Sequence, residues 1–326
     1  MKNLIPVGFT ASAAIAVLLL NSVPVAAETS LKLVSMLAKK HPVGIRFGGF
    51  VTRINKQFKG DFQIDWRGGP EIVPQFKQAN AVRIGSIDMT ITSPSYVNGI
   101  LPVSGSANYS NKTYEEIKAT GYLDYMTKLH AEKGLVYVGE LPVSELRFHI
   151  FLRNKIQKIA DLKNLKIRVF PAIAPAVKAL GASPLVLPMG DIYTAMERGI
   201  IDGFAQGVSG IGKQYQGLVK GYVEPGFYRA TFHLLANPKS WQKVPQATRA
   251  KIIDYVRNKE PVPFEASWKA NLASSYKRLA GNKIEAIHLA ADEKAKFKSL
   301  VFDAAWAAVR SKSSEQGKRL QSMLMK

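Results

Sequence analysis

The sequence predicts an α/β protein built from two related lobes, with helical segments near its C-terminal end. After residue 27, short aliphatic runs alternate with amphipathic helical patterns, a rhythm typical of largely parallel sheets covered by helices. One eight-residue frame occurs twice, once in each half of the region up to residue 240. Beyond that residue the strand patterns fade and helical periodicity continues.

The individual elements follow from these patterns in chain order. Residues 164–171, NLKIRVFP, alternate aliphatic and polar side chains before a proline and predict a short strand. Gly85 stands where a helix C-cap is expected and separates a predicted helix from the next strand. Apolar residues at helical spacing from Phe297 to Ala308 predict a core-facing helix. The predicted strands are 31–36, 62–66, 86–92, 135–138, 146–152 and 165–169, and the predicted helices are 43–58, 73–84, 248–257, 263–279 and 291–324.

The repeated frame is Ala-x-x-x-Gly-x-Ile-Asp, at residues 81–88 and 195–202. In each copy a helix end is followed by a glycine turn and a strand, so two related lobes are expected. We predict that lobe 1 comprises 28–148 plus about 237–270, and lobe 2 comprises 149–236 plus about 271–326. The strands at 135–138 and 146–152 would carry the chain from one lobe to the other.

The N-terminal segment predicts export. Residues 1–27 open with Lys2, continue with an apolar run and end in Val25-Ala26-Ala27, which is typical of a cleaved bacterial signal peptide. The mainly apolar stretch from Ala11 to Leu20 is half of the ~20 residues that a membrane span needs. The mature protein is therefore expected outside the cytoplasm.

Charge and cysteine content narrow the possible partners. The formal net charge is +21, and it is +20 without residues 1–27, in which Lys2 is the only charged residue. The Lys and Arg residues are scattered and accompany no nucleic-acid-binding motif, so we predict a solvated basic surface and no nucleic-acid partner. The alternative is that the field attracts small anions or anionic lipid headgroups. The absence of cysteine excludes disulfides, thiol nucleophiles and thiolate metal sites.

No catalytic, nucleotide-binding or metal motif is complete. The frame G-x-x-x-x-G-K at 207–213 is followed by Gln214 instead of the Ser or Thr that would hold magnesium. The five histidines never lie three or four residues apart, and no G-x-S-x-G elbow is present. We therefore predict no enzymatic activity, no cofactor and no metal. The alternatives are an exported hydrolase of small carboxylic acid derivatives and a basic surface-adhesion protein.

Polar and aromatic residues gather at the predicted strand ends. Ligands of open α/β sheets bind beyond the carboxyl ends of the strands, so these residues are candidates for a binding site. Arg147 and His149 project from the same side of one strand. Arg168 ends another strand, either as a solvated group or as a guanidinium fork for a carboxylate. The other strand-end candidates are Glu71, Ser93, Tyr96, Phe170 and Gln206.

Four segments occur in the order of a known family: GGPEIVPQFKQANAVRIGSIDM at 68–89, DLKNLKIRV at 161–169, ALGASP at 179–184 and YTAMERGIIDG at 193–203. Together they resemble the solute-binding proteins of TRAP (tripartite ATP-independent periplasmic) transporters, the DctP family. The resemblance covers nearly the whole mature chain. It implies a two-lobe periplasmic binding protein-like fold with a ligand cleft between the lobes. It also implies a periplasmic protein that delivers a captured organic acid to membrane permease subunits.

The same resemblance assigns roles to the arginines. Arg168 matches the arginine that grips the ligand carboxylate, a role that suits its two parallel N–H donors. A structural salt bridge is the alternative for a buried arginine. The helix predicted to begin near Ala172 would add positive potential at the same place. Arg147 lies near a second ligand-contacting position, where His149 competes with it because the alignment is loose by one residue.

The chain departs from many relatives at residues 202–206, where Asp-Gly-Phe-Ala-Gln replaces Asp-Gly-x-Glu-Asn. Gln206 keeps an amide, but the acid that helps some members hold a metal is missing, so no metal is expected. Residues 67–71, RGGPE, resemble a subgroup that handles small hydroxy or keto acids, although Glu71 could instead cap the following helix. The aromatic residues expected to wall the cleft, or else to belong to the core, are Tyr96, Phe170 and Tyr228.

Overall fold

The computed structural model describes residues 28–325. The predicted signal peptide, residues 1–27, lies outside these residues. Across the described chain, no helix combines the length and the apolar character needed to cross a membrane. The strands are β1 (Thr29–Ser35), β2 (Phe62–Gly68), β3 (Met89–Thr92), β4 (Val136–Leu152), β5 (Lys166–Val169), β6 (Ser183–Val186), β7 (Gly203–Gly207), β8 (Gly221–Glu224), β9 (Tyr228–Ala236) and β10 (Glu285–His288).

The helices include every long helical segment that the sequence predicts. Helix α2 begins later than predicted because a short 3₁₀ turn, Gln75–Lys77, precedes it. Gly85 ends this helix in the left-handed conformation, with φ 82°, as expected for a C-cap glycine. The helices are α1 (Pro42–Gln57), α2 (Gln78–Ile84), α3 (Tyr114–Ala119), α4 (Tyr122–Ala131), α5 (Ala174–Ala179), α6 (Ile192–Glu197), α7 (Pro238–Gln242), α8 (Gln246–Asp254), α9 (Pro261–Gly281), α10 (Ala291–Lys312) and α11 (Ser314–Met325).

The sheet contains two similar halves. Its strand order is β2-β1-β3-β9-β4-β7-β5-β6, and β8 pairs with both β4 and β10. In one half β1 lies between the parallel strands β2 and β3, and β3 pairs with antiparallel β9. In the other half β5 lies between the parallel strands β6 and β7, and β7 pairs with antiparallel β4. The two halves therefore repeat one arrangement.

The repeated sequence frame has the same structural role in both halves. Asp88 accepts a hydrogen bond from the backbone N–H of Lys32 at 2.9 Å, at β1. Asp202 accepts one from the backbone N–H of Lys166 at 2.8 Å, at the start of β5. In each copy a glycine with positive φ precedes the aspartate by three residues. The aspartate thus ties the start of one parallel strand to the central strand beside it.

Strand β4 joins the halves as one 17-residue strand, where the sequence predicts two. It pairs with β9 from Val136 to Phe148, and with β7 from Phe148 to Leu152. Its register with β9 shifts between Tyr137 and Gly139, and again between Val143 and Arg147. These irregularities interrupt the two-residue alternation, so the middle of the strand does not look like a strand in the sequence.

The predicted helix 291–324 is divided into α10 and α11 at Ser313. Helix α11 turns back onto the end of α10, and Gly317 lies so close that an added Cβ would be 3.0 Å from the Cα of Arg310. The predicted core stripe of α10 is confirmed at Phe297, Val301 and Ala305, which are buried. The exact lobe boundaries stay a prediction, since β4 and β9 run through the middle of the single sheet.

Candidate functional site

A mainly apolar cavity lies at the carboxyl ends of the central strands, with an empty volume of about 530 Å³. Leu37 follows β1, Ser93 and Tyr96 follow β3, Phe170 follows β5, and Gly207 ends β7, and all five line it. The cavity thus lies between the two halves of the sheet. This is the position that open α/β sheets use for ligands.

Three aromatic rings form one wall of this cavity. Phe148, Phe170 and Tyr228 pack edge to face, with ring centroids 5.1 to 5.4 Å apart. The hydroxyl oxygens of Tyr228 and Ser95 lie 2.6 Å apart and share a hydrogen bond. Burial raises the pKa of Tyr228, so its hydroxyl stays neutral. The wall is a rigid apolar surface suited to a hydrocarbon or aromatic group.

Arg168 is fully buried beside this cavity, although its side chain does not line the cavity surface. Its Nε donates to the carbonyl of Leu187 at 2.8 Å, and Nη1 donates to the carbonyl of Ala205 at 3.4 Å. Its Nη2 has no partner within the described chain. Burial lowers the pKa of Arg168, and the neighbouring hydroxyl of Tyr96 opposes this shift.

No ion pair among residues 28–325 includes Arg168. Tyr215 and Asp191 contribute weaker favourable interactions to its charge. A buried guanidinium without an ion-paired carboxylate is unusual, because the loss of hydration is normally offset by an anion. The arrangement leaves one end of the guanidinium available to an anion that enters beside Tyr96.

A second, more polar cavity adjoins the first, with an empty volume of about 990 Å³. Met189 and Gln206 line both cavities. Gln206 is buried, and its Oε1 has no partner in the described part of the chain. His41 and Arg278 also line the second cavity, and none of the described residues that line it is acidic. The two cavities together offer an apolar space that leads into a polar, positively charged one.

The structure brings most of the predicted site residues together. Ser93, Tyr96, Phe170, Gln206 and Tyr228 line the first cavity, and Arg168 lies next to it. These side chains come from β3, β5, β7 and β9 or from the segments that follow them. Their roles toward a ligand stay a prediction, but their convergence on one cavity follows from the strand-end rule.

Besides Arg168, three predicted residues do not line either cavity. Glu71 is exposed and accepts a hydrogen bond from the backbone N–H of Gly69 at 2.7 Å, so it holds its own turn. Arg147 and His149 alternate along β4 with Leu146 and Phe148, which do line the first cavity. The ring of His149 lies 3.1 Å from the carbonyl of Val223, through Nδ1.

Phe148 and Asn108 are two of the cavity residues that the sequence patterns do not indicate. Phe148 lies on the side of β4 opposite to Arg147 and His149. Ile150 and Leu152 share that side, so in the sequence it resembles a side that faces the core. Asn108 lies in a 3₁₀ turn, Ser106–Tyr109, where no periodic pattern indicates a site. Only the tertiary contact between Asn108 and the backbone of Arg229 places it in the cavity.

Potential metal ligands do not cluster in the described chain. Between residues 28 and 325, no group of three or more His, Asp or Glu side chains could hold a metal ion. The polar side chains near the cavities instead carry guanidinium, amide, hydroxyl and imidazole groups. These groups suit hydrogen bonding to an organic anion.

Comparison with known proteins identifies the family. Residues 33–312 match the DctP family model, described as bacterial extracellular solute-binding protein, family 7. The chain therefore belongs to this family. The monocarboxylate 2-oxoacid-binding periplasmic protein of Nostoc sp. is 27% identical over 207 residues, covering 60% of this chain and 56% of that protein. The matched region thus spans little more than half of this curated relative.

Solved structures show the same fold at low sequence identity. A TRAP periplasmic solute-binding protein from Desulfovibrio salexigens, with bound orotic acid, matches with a TM-score of 0.79 and 18% identity, covering 91% of this chain and 97% of that chain. A Bordetella pertussis solute receptor that binds pyroglutamic acid has a TM-score of 0.77 and 15% identity, covering 91% and 100%. The resemblance noted in the sequence and the two-lobe α/β fold are confirmed.

Proposed function

We propose that this protein is the periplasmic solute-binding component of a TRAP transporter. It captures an organic acid through Arg168 and delivers it, chemically unchanged, to membrane permease subunits. The observation that carries the proposal is the buried guanidinium of Arg168, whose Nη2 has no partner within residues 28–325. A carboxylate is the group that offsets such a buried cation best, through charge-assisted hydrogen bonds.

The cavity beside Arg168 supports an acid with an apolar body. Phe148, Phe170 and Tyr228 offer an aromatic wall, and Tyr96, which also lines the cavity, interacts with the guanidinium. By its name, the Nostoc relative binds monocarboxylate 2-oxoacids, and the two solved structures hold orotic acid and pyroglutamic acid. These ligands are all carboxylic acids, which agrees with the cationic site proposed here.

Location and charge fit the same function. The predicted signal peptide would place the mature chain in the periplasm, where a net charge of +20 would attract small anions. Closure of the two lobes on the acid would remove water from around Arg168 and strengthen the ion pair. Mass spectrometry of the exported protein should find an N-terminus at Glu28.

A ligand screen tests the proposal. We expect organic acids with branched or aromatic bodies to raise the melting temperature of the mature protein, because a ligand that binds only the folded state stabilises it. Neutral sugars and amines serve as negative controls, and isothermal calorimetry confirms each hit. If only neutral or cationic compounds stabilise the protein, the carboxylate function is wrong. Turnover of the bound acid would instead indicate an enzyme.

Delivery needs a separate experiment. A strain that lacks this protein should lose uptake of the radiolabelled acid, and the gene supplied in trans should restore it. The variant Lys166→Ala, at an exposed position of β5, provides a control that should restore uptake fully. Uptake that is independent of the protein would contradict the transport role while leaving acid binding intact.

A further inference from the structure

Asn108 presents a hydrogen-bond acceptor whose direction is fixed by the fold. Its side chain is 1% exposed and lines the apolar cavity. Its Nδ2 donates to the backbone carbonyl of Arg229 at 2.5 Å. Its Oδ1 has no hydrogen-bond partner in the part of the chain that the structure describes. The amide therefore has a hydrogen-bonded Nδ2 and, within the described chain, an unpaired Oδ1.

The orientation of this amide follows from its surroundings. Rotation by 180° would place Oδ1 against the carbonyl oxygen of Arg229, and two acceptors cannot pair. That carbonyl cannot move away, because Arg229 belongs to β9, pairs with β4 and is itself buried. Its guanidinium also donates to the carbonyls of Lys112 and Ala107, at 2.5 and 3.4 Å. One of the two Nδ2 hydrogens is thus committed to the carbonyl of Arg229, and any ligand group that meets Oδ1 meets an acceptor.

Three other polar residues of the cavity, Gln206, Ser93 and Tyr96, do not impose such a requirement. Gln206 has an unpartnered Oε1, and among residues 28–325 no protein acceptor holds its Nε2. Its amide can therefore rotate and serve as donor or acceptor. The hydroxyls of Ser93 and Tyr96 are equally adaptable, because a hydroxyl both donates and accepts. Asn108 alone among these groups distinguishes a donor on the ligand from an acceptor.

We propose that Asn108 is a specificity-determining residue, and that the preferred ligands are acids that carry a hydrogen-bond donor, a hydroxyl or an N–H, on their apolar body. A buried acceptor that stays unpaired is costly, and an oxo group facing it adds repulsion between two oxygens. An oxo acid should thus bind less tightly than the hydroxy acid of the same skeleton. This inference rests on the proposed function, since the acid must first occupy the cavity beside Arg168.

Matched ligands test the inference. Each set contains three acids of one carbon skeleton: the hydroxy acid, the oxo acid and the parent acid with neither group. Suitable skeletons are 3-phenylpropionate and isovalerate, with the substituent at each available position, and cyclic amide acids supply the N–H donor. Isothermal calorimetry gives the dissociation constants for the full-length mature protein. We expect the donor-bearing acid to bind tenfold or more tightly than its oxo partner.

Two substitutions separate selectivity from folding. Asn108→Ala removes the acceptor, and Asn108→Ser replaces it with a hydroxyl that can donate or accept, should the alanine variant fold poorly. In either variant the ratio of the two dissociation constants should fall to within about threefold, because the donor-bearing acid loses the Asn108 acceptor and the oxo acid is relieved of the repulsion. Asn237→Ala is the control, because Asn237 is a buried asparagine whose Nδ2 also donates to a backbone carbonyl, that of Val82 at 2.8 Å, away from the cavity. It should keep the wild-type ratio.

The outcomes are distinguishable. A wild-type ratio within threefold, or a preference for the oxo acid, overturns the inference while the proposed function stands. If both Asn108 variants keep a tenfold or larger ratio of the two dissociation constants, the inference is also overturned, because another group then recognises the donor on the ligand. If the protein binds no acid of any set, the proposed function fails first, and the inference built on it falls with it.

Discussion

Two fully buried arginines, Arg168 and Arg229, should respond in opposite ways to replacement by methionine. Arg229 lies near the buried carboxylate of Glu140, which favours its charged form. Arg168 has no ion pair with any residue in the described chain. If Arg168 is a ligand clamp, Arg168→Met should abolish tight binding and leave the unliganded fold almost as stable as before.

The magnitudes follow from the contacts. Two charge-assisted hydrogen bonds to a ligand carboxylate, at about 1.5 to 3 kcal/mol each, predict an affinity loss of about 10² to 10⁴ for Arg168→Met. Without ligand, the variant loses the hydrogen bonds to the carbonyls of Leu187 at 2.8 Å and Ala205 at 3.4 Å, together worth about 1 to 2 kcal/mol, and is relieved of a buried charge. Its stability should therefore change by less than about 1 kcal/mol. Arg229→Met loses the hydrogen bonds to the carbonyls of Lys112 and Ala107 and removes a positive charge that favours the ionised form of Glu140, so it should cost about 2 to 4 kcal/mol.

Urea denaturation without ligand and calorimetry with the best acid measure the two effects separately. Lys166→Ala, an exposed change on the same strand as Arg168, should alter neither. The reasoning is refuted if Arg168→Met destabilises the unliganded protein as much as Arg229→Met does, because Arg168 would then be structural. It is equally refuted if Arg168→Met binds the acid within threefold of wild type.

Three further predictions concern stability, each measured by urea denaturation. Gly44→Ala should cost about 2 to 3 kcal/mol, because its Cβ would lie 2.1 Å from the carbonyl oxygen of Ala38; Gly49→Ala, which meets only a flexible side chain, is the matched control and should be nearly neutral. Burial lowers the pKa of His130 to about 3, so stability should fall as pH drops below 6.5, by about 2 kcal/mol between pH 7 and pH 5. His130→Phe should remove this loss of stability between pH 7 and pH 5. If the variant loses as much stability over that range as the wild type, the prediction is wrong. Asp202→Ala should lower the free energy of unfolding by about 1 to 2 kcal/mol, because the backbone N–H of Lys166 at the start of β5 loses its acceptor. An unchanged free energy of unfolding would show that the repeated aspartate has no structural role.

The location of the cavity could be predicted because it depends on one general rule. Strands and helices are visible in local periodicity, and a parallel sheet places its binding residues beyond the carboxyl ends of the strands. That rule was sufficient to place Ser93, Phe170 and Gln206 together. The rule did not apply to Arg147 and His149, because β4 is antiparallel to its neighbours. Their side chains lie on the side of β4 opposite to Leu146 and Phe148, which line the cavity.

Other features could not be predicted because they depend on contacts between distant residues. The bulges of β4 are irregularities of its pairing with β9, which is more than eighty residues away in the sequence. The division between α10 and α11 accompanies the close packing of Gly317 on Arg310. Asn108 becomes a fixed acceptor only through the carbonyl of Arg229. None of these contacts leaves a periodic signal in the chain.

The sequence by itself determined the α/β class, the repeated lobe motif, the family and the strand on which Arg168 lies, because these depend on local patterns and on motifs in a known order. Only the tertiary structure decided that, among residues 28–325, Arg168 is buried without an ion-paired carboxylate and Asn108 has an unpaired oxygen. The physical reason is that the energy of a polar group depends on which partners surround it. Those partners are brought together by packing between segments that the sequence keeps far apart.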